Sequence, residues 1–370
     1  MARFDKNIIE TLSKDRRFDG KMVKTLETSD KTVALVRVRN PLHLIALERR
    51  FRVVNEYPFI RSVGIECGLE EAIALGRMAE VEYVSGESRV HCLGDVFDGQ
   101  VALSMSSETR LTGEGVNLCV MDTGVNLHSD FSIPKERIMH FVDIVGGEEY
   151  PYDDNGHGTF VAGVAIGNGI LSGKRIHGVA PRANVVGLKV IGKDGESGTF
   201  KILDGMQWLF DNFRTYGRRV VCMSFGADPL EYADPLKIGA EMLSRSGIVV
   251  VAASGNSGEN SLKSPSISDE VISVGAVDDN FSIAQFTSRG VYNGVIRPDV
   301  YAKGVKVRGV KSGGAYTVMT GTSAAAPYVA GACCLLCEKY RNITQKQAKN
   351  AILASSKNIN GNLVFDLSLL

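Results

Sequence analysis

The stretch "TGTSAAAPYVAGA", residues 320–332, surrounds Ser323 with small residues and runs directly into an apolar segment. Small neighbours let other groups approach the backbone closely. The apolar run predicts a helix that begins at Ser323, with Pro327 in the first turn, where a missing N–H does least harm. Ser323 then has two interpretations. It either caps a core helix, or it presents its hydroxyl and N–H at the positive end of a helix dipole.

Length and composition limit the classes of protein that fit. The 370 residues exceed one ordinary hydrophobic core, which predicts two domains. Hydrophobic residues make up 44% and charged residues 23%, values typical of a soluble globular protein. The 42 Lys and Arg residues balance 42 Asp and Glu residues. A net charge of zero argues against nucleic acid and against an anionic membrane surface as partners.

The amino terminus and the cysteines bear on cellular location. The first residues carry charges where a signal peptide would need an apolar core, and no later stretch reaches membrane-spanning length. Seven cysteines, an odd number, favour reduced thiols and a cytoplasmic location. The motif "CCLLC" raises the question of a metal cluster, but no partner pair follows at zinc spacing. We therefore expect buried thiols at Cys333, Cys334 and Cys337.

The pattern of apolar residues changes near residue 95. Before it, strand-like and helix-like segments follow the order β-α-β-β-α-β, which predicts a ferredoxin-like domain over residues 1–95. After Val116, strongly apolar strands alternate with helices, as in a buried parallel sheet, which predicts an α/β domain over residues 96–370. Residues 93–112 lack a clear pattern and are interpreted as a linker.

Three further residues stand where secondary structure begins or ends. Asp122 closes the apolar strand "VNLCVMD", His157 lies between two glycines before a small-residue helix, and Asn256 follows "VVVAASG". Singly, each reads as a turn or capping residue. Together with Ser323 they supply a nucleophile, a base, an orienting carboxylate and an oxyanion donor, to which the Ser323 N–H adds a second donor. The set predicts serine-nucleophile catalysis.

The blocks "VMDTG", "NGHGT", "AASGN" and "GTSAAAP" resemble the signature motifs of the subtilisin-like serine proteases, in that family's Asp, His, Ser order. The resemblance covers residues 110–355. It implies a three-layer subtilase fold with a mostly parallel sheet, and a serine endopeptidase acting on peptides or proteins. Residues 31–93 resemble the family's inhibitory prodomain, and several segments are closest to its intracellular, signal-less branch.

The resemblance also implies substrate-binding positions. An extended peptide would pair between two rims and add a strand. Residues 253–255 would help to wall the pocket for the P1 side chain, and Ser257 stands where some relatives carry glutamate, so a neutral or apolar P1 residue is expected. The positions implied are Ser224, Phe225 and Gly226 on one rim, Ser197 and Gly198 on the other, and Ala253, Ser254 and Gly255 at the pocket.

The chain departs from the family pattern at several positions. Ala324 stands where many relatives carry methionine, and Phe160 replaces a frequent histidine. The loop from Asn168 to Lys174 does not match the calcium loop of secreted members, so Asp130, which aligns with one ligand there, is not expected to hold the ion. No cofactor is expected to be required. Structural calcium elsewhere stays open because of the acidic residues 148–154.

Two alternatives to a general self-processing protease remain. One is a dedicated peptide-maturation protease, and the other is a non-catalytic regulatory protein with the same fold. For the endopeptidase, the family pattern implies that residues 1–95 act as an intramolecular inhibitor and folding aid. Their removal by self-cleavage is expected between Glu87 and Gln100.

Overall fold

The computed structural model describes residues 6–97 and 111–370, and the part before Ser88 is an antiparallel sheet with helices packed on it. The strands β1 to β4 pair in the order β2-β3-β1-β4. The first two helices of this region were not predicted from the sequence. The assignment of this region to the ferredoxin-like fold stays a prediction. The elements are α1 (Lys6–Lys14), α2 (Gly20–Thr28), β1 (Thr32–Val38), α3 (Leu44–Glu48), β2 (Val53–Tyr57), β3 (Ser62–Cys67), α4 (Leu69–Gly76) and β4 (Val81–Ser85).

The rest of the described chain is built on long parallel strands and helices. Its strands are β5 (Arg89–Cys92), β6 (Asp95–Phe97), β7 (Val116–Asp122), β8 (Ile138–Asp143), β9 (Asn184–Lys189), β10 (Glu196–Gly198), β11 (Arg218–Met223), β12 (Phe225–Gly226), β13 (Val249–Ala253), β14 (Ile272–Val277), β15 (Gly290–Tyr292), β16 (Val295–Arg297), β17 (Val300–Lys303), β18 (Val307–Val310), β19 (Tyr316–Thr320), β20 (Ser356–Ile359) and β21 (Asn362–Phe365). Its helices are α5 (Ser129–Ser132), α6 (His157–Ile166), α7 (Thr199–Asn212), α8 (Pro235–Arg245), α9 (Thr322–Lys339) and α10 (Gln345–Ala354).

The central sheet has nine strands in the order β20-β21-β17-β14-β13-β11-β7-β9-β8. All its pairings are parallel except that of β20 with β21. In β7, Leu118 and Val120 pack with α6 and α9, while Cys119 and Met121 face the opposite layer with α7 and α8. Burial on both faces explains why these strands are apolar without alternation. The predicted three-layer α/β architecture is confirmed.

The helix that follows the serine begins one residue earlier than expected. It spans Thr322–Lys339, so Pro327 is its sixth residue and lies inside it rather than in the first turn. The prediction of a first-turn proline was therefore wrong. Pro327 has no N–H to donate to the carbonyl of Ser323, four residues earlier, and that oxygen instead accepts a bond from Ser224 Oγ at 3.4 Å.

The cysteines are free thiols throughout. Cys333, Cys334 and Cys337 lie on α9 and pack into the apolar core between that helix and the sheet. Over residues 6–97 and 111–370, no helix combines the length and apolarity needed to cross a bilayer. The cytoplasmic location stays a prediction.

The amino-terminal sheet packs against the layer formed by α7 and α8. Leu35 and Tyr57 point away from their own helices and join the core that contains Leu203 and Met206 of α7. The hydroxyl of Tyr57 donates to Asp204 Oδ1 at 2.9 Å and lies 3.1 Å from the carbonyl oxygen of Phe200. Residues before and after Ser88 therefore share one apolar interface, with a buried polar contact inside it.

Residues 93–112, interpreted as a linker, contain a strand near their start. Asp95–Phe97 forms β6, which pairs with β19 immediately before the serine helix. Residues 98–110 lie outside the described residues. The boundary predicted after residue 95 falls inside this short strand.

Candidate active site

Asp122 and His157 form a buried pair at the carboxyl edge of the central sheet. Asp122 is the last residue of β7 and His157 the first of α6. His157 Nδ1 lies 2.7 Å from Asp122 Oδ1, and both residues are at most 1% exposed. Burial acts to lower the pKa of His157, but the Asp122 carboxylate and Cys92 together outweigh burial, so the pKa lies well above its usual value. The pair is built to stabilise an imidazolium.

A short polar network holds the turn before His157. Asp153 accepts hydrogen bonds from Thr123 Oγ1 and the Gly156 N–H, both at 2.8 Å, and Thr123 Oγ1 in turn accepts from the Gly158 N–H at 2.9 Å. A Cβ at Gly158 would lie 2.2 Å from the Gly124 carbonyl oxygen, so only glycine fits. The function of Asp153 was not recognised from the sequence, although it lies in the acidic stretch before "NGHGT".

Ser323 and Asn256 meet around one backbone oxygen. The carbonyl oxygen of Leu93 accepts hydrogen bonds from Asn256 Nδ2 at 2.6 Å and from the Ser323 N–H at 3.0 Å. Asn256 Oδ1 accepts from Thr322 N and Thr322 Oγ1, each at 2.9 Å, which turns the amide nitrogen towards Leu93. Two preplaced donors on a peptide oxygen at a helix N-terminus form the geometry of an oxyanion hole.

Gly321 makes room for this carbonyl. Its φ is 156°, and a Cβ there would lie 2.4 Å from the Leu93 oxygen and 3.0 Å from Asn256 Nδ2. Any larger side chain would occupy the position of the bound peptide. This explains one of the small residues around Ser323 in the sequence.

The hydroxyl of Ser323 does not bond to His157 in this conformation. Ser323 Oγ donates to the carbonyl oxygen of Ser224 at 2.9 Å. Among the described residues, His157 Nε2 is buried and has no hydrogen-bond partner. The structure thus places Asp122 beside His157, and Asn256 beside Ser323. The Ser323 hydroxyl points to Ser224, so no hydrogen bond joins Ser323 to His157 in this conformation.

A strand of the chain itself lies across the cleft between two rims. β5 pairs antiparallel with β10 on one side and β12 on the other, in the order β10-β5-β12. Cys92 N donates to Gly195 O at 3.0 Å, and Leu93 N donates to Ser224 O at 3.1 Å. The paired residues include Ser197 with Val90, Gly198 with Arg89, Phe225 with Cys92, and Gly226 with His91. All five rim positions expected from the sequence therefore lie beside this strand.

The side chain of Leu93 lies in a pocket against Gly226. A Cβ at Gly226 would approach Leu93 Cδ1 to 3.2 Å and Lys263 Cβ to 2.6 Å. Lys263 Nζ is paired with Asp228 Oδ1 at 2.6 Å, and its stem also packs at Gly255. Ala253 ends β13, and Ser254 and Gly255 follow it, all buried. The cavity that Leu93, Gly226 and Lys263 line also includes Glu87 and Asp228, and Asp228 is the acid paired with Lys263.

The Asp130 carboxylate accepts hydrogen bonds from three protein groups. Its Oδ2 accepts from the Gly169 N–H at 3.0 Å, its Oδ1 from the Leu171 N–H at 3.1 Å, and both oxygens lie within 3.0 Å of the Tyr316 hydroxyl. Whether calcium binds elsewhere on the chain stays a prediction.

The two departures from the family pattern near the site share one small core. Phe160 and Ala324 are fully buried together with Met319. A Cβ at Gly94 would lie 2.8 Å from Met319 Sδ and 3.1 Å from Ser323 Cβ. A thioether therefore lies near the serine although residue 324 is alanine, and sequence reasoning did not identify it.

A carboxylate–imidazole pair, a serine at a helix N-terminus and two donors on a peptide carbonyl, all at the carboxyl edge of a parallel sheet, define a serine peptidase. Residues 113–367 match the model of the Subtilase family. The chain belongs to this family and is a serine endopeptidase.

Relatives agree with this assignment. The chain is 34% identical to serine protease AprX of Bacillus subtilis (strain 168), over 79% of this chain and 71% of that protein. It is 31% identical to alkaline elastase YaB of Bacillus sp. (strain YaB), over 86% of this chain and 80% of that protein. The second match exceeds the length of residues 96–370, so it extends into the first 95 residues. A crystal structure of a cold adapted subtilisin-like serine proteinase superposes with a TM-score of 0.61 at 27% identity, covering 72% of this chain and 93% of that chain.

Proposed function

We propose that the chain is a self-processing zymogen in which residues 1–93 occupy the cleft until Ser323 cleaves the bond between Leu93 and Gly94. One observation carries the proposal: the Leu93 carbonyl oxygen accepts bonds from both Asn256 Nδ2 and the Ser323 N–H. An inhibitor segment could pair with the rims in many registers. This register aims a carbonyl into the hole directly beside the serine, as catalysis requires.

The chemistry follows from the roles of four residues. Ser323 Oγ attacks the Leu93 carbonyl carbon and passes its proton to His157 Nε2, while Asp122 holds the imidazole and stabilises the imidazolium. Asn256 and the Ser323 N–H bind the oxyanion. Collapse of the intermediate breaks the bond to Gly94, whose amine takes the proton from His157. Water then hydrolyses the ester, which frees Ser323 and leaves Leu93 as a new carboxyl terminus.

Leu93 also supports an apolar or neutral P1 preference. Its side chain is 6% exposed and lies against Gly226. The nearby cation Lys263 is paired with Asp228 rather than aimed at the ligand. An acidic P1 side chain would have to compete with Asp228 for Lys263, and burying it without that partner costs desolvation energy.

The interface beyond the cleft supports inhibition after cleavage. Leu35, Tyr57 and Phe59 pack against α7 and α8, and none of these contacts depends on the Leu93–Gly94 bond. The cut segment would therefore remain bound as a product inhibitor until it dissociates or is degraded. The seven free thiols support, as a proposal only, a location in a reducing compartment.

The test compares intact masses of three purified proteins. The full chain of 39.9 kDa should convert to a shorter species, whereas Ser323→Ala should stay at full length. Ser282→Ala, on an exposed loop, is the matched serine control and should process like wild type. A wild-type chain that hydrolyses external peptides at full length would overturn the zymogen proposal. Processing of Ser323→Ala at the wild-type rate would overturn the role of the serine.

A further inference from the structure

Cys92, the residue before Leu93, brings a thiol into the catalytic cleft. Its Sγ lies 3.9 Å from Asp122 Oδ1. The sulfur, a ring nitrogen of His157 and a carboxylate oxygen of Asp122 all lie within 4.8 Å of one another. This is the one such grouping of three ligating side chains found among the described residues.

One carboxylate oxygen of the grouping has no partner in the described part of the chain. Asp122 Oδ2 is buried without a hydrogen bond among the described residues, and the ring nitrogen of His157 that faces Asp122 is Nδ1. Asp122 is 0% and His157 1% exposed. Unpartnered polar atoms at this depth are rare, because each forfeits its bonds to water. A cation beside Cys92 would supply the missing partner.

The chemistry of the donors selects the cation. Thiolate, imidazole and carboxylate are the ligands of zinc, whereas calcium and magnesium prefer oxygen alone. A thiolate and a carboxylate together balance the charge of a divalent ion. On a tetrahedral zinc ion, ligand atoms lie roughly 3.2–3.8 Å apart, from bond lengths of about 2.0–2.3 Å. The sulfur–oxygen distance is near this range, and the 2.7 Å between His157 and Asp122 must lengthen.

We propose that the intact chain binds one Zn²⁺ ion through Cys92, His157 and Asp122, and that this ion holds the protein in its uncleaved form. The ion engages the base and its orienting carboxylate, so His157 is unable to take the proton of Ser323. The ligand set bridges the segment to be removed and the catalytic domain, so it exists only while β5 lies in the cleft. Zinc binding requires only the intact chain, whereas its effect on cleavage rests on the proposed function.

Binding is tested on Ser323→Ala, which keeps the three ligands and the full chain. Cobalt replaces zinc as a probe, since a Co²⁺–thiolate bond gives a near-ultraviolet charge-transfer band. We expect that band at one ion per chain, its loss on adding Zn²⁺, and no competition from Ca²⁺. Adding Cys92→Ala should weaken Zn²⁺ binding more than about 100-fold, beyond the 10–100-fold typical of outer-shell partners. Cys67→Ala, a thiol from the same region but outside the cleft, is the control and should retain the band.

A second measurement needs no substitution at Cys92. Cys92 is partly exposed whereas the other six thiols are buried, so iodoacetamide should label it first. Zn²⁺ should protect this position in Ser323→Ala, as mapped by peptide mass. Labelling of Cys92 at an unchanged rate with saturating Zn²⁺, or equal metal affinity with and without Cys92, would overturn the site.

The effect on cleavage is tested separately in chains that carry Ser323. Zn²⁺ should slow conversion of the wild-type chain at least about tenfold and should slow Cys92→Ser much less; the readout is the ratio of rates with and without metal. Equal ratios in the two proteins, with binding demonstrated, would overturn the proposal that zinc prevents cleavage. A wild-type chain that never cleaves itself, even without metal, would instead contradict the proposed function. Metal binding would still be decided by the cobalt charge-transfer band.

Discussion

The two halves of the cleft are held together in different ways. Asp122 and His157 are fixed by bonds within residues 122–159, including the Asp153 network behind the turn. Ser323 and Asn256 direct both of their oxyanion donors to a carbonyl from residue 93, more than 160 positions from Asn256. The bond between Asp122 and His157 lies within the catalytic domain, whereas the two oxyanion donors both bind a carbonyl of the segment to be removed. The two halves should therefore respond differently to substitution.

The largest effect is expected in the imidazole half. Asp122→Asn keeps the shape of the side chain but no longer stabilises the imidazolium and favours the wrong tautomer. The first-order rate of self-cleavage, followed by intact mass, should fall ~10⁴-fold, the magnitude known for this change in another serine protease. A fall of less than about tenfold would mean that Asp122 does not orient the base.

Substitution in the oxyanion half should cost less. Asn256→Ala removes one of two donors on the Leu93 oxygen and leaves the Ser323 N–H. The cleavage rate should fall ~10²–10³-fold, equivalent to about 2.7–4 kcal/mol, as found for an oxyanion-hole asparagine in subtilisin, a member of this family. Thr322→Ala, which only loosens the orientation of that amide, is the graded control and should lose about tenfold or less. Equal losses for Asn256→Ala and Asp122→Asn would remove the distinction between the halves.

The pH dependence of cleavage sharpens the comparison further. His157 must be neutral to accept the serine proton, and although burial lowers its pKa, Asp122 and Cys92 together raise that pKa well above the usual value near 6.5. The rate should therefore rise with pH through a single ionisation whose midpoint lies above 6.5, and it should fall as the imidazole becomes protonated at lower pH. Asn256→Ala should keep this midpoint while lowering the plateau. A midpoint at or below 6.5 would contradict the strong coupling to Asp122.

The smallest effect is expected outside the cleft. The Tyr57 hydroxyl is buried, its pKa is raised by burial and by Asp204, and it donates into α7. Tyr57→Phe leaves Asp204 without this donor, which should weaken binding of the cut segment by about 1–3 kcal/mol. The cut segment should then dissociate roughly tenfold faster, which shortens the lag between cleavage and activity on an external peptide. Tyr150→Phe, at a side chain 78% exposed, should not change that lag.

The same contrast explains what the sequence could predict. Asp122, His157, Asn256 and Ser323 each stand close to the end of an apolar element, so local pattern and the order of the motifs were enough to predict that they lie at one edge of the sheet. The buried parallel sheet followed from apolar strands without alternation, and the three-layer arrangement followed from the resemblance to the family. These features depend on residues that are neighbours in the sequence.

The occupant of the cleft was not predictable in the same way. Residues 93–112 carry no periodicity, and the position of Leu93 depends on the register of β5 against β10 and β12. Register between segments far apart in the chain is set by tertiary packing and has no local signal. Pro327 lies inside α9 rather than in its first turn, and the Ser323 carbonyl that it leaves without a helical donor accepts from Ser224 Oγ, 99 positions away in the chain.

The central claim is that the Leu93 carbonyl occupies the oxyanion hole as the group to be cleaved. Amino-terminal sequencing of the shorter species tests it most directly. The account predicts a chain that begins at Gly94 with the sequence "GDVF" in wild type and no such species in Ser323→Ala. A shorter species that begins elsewhere under conditions of rapid first cleavage, for example after residue 100, would contradict the register on which the account rests.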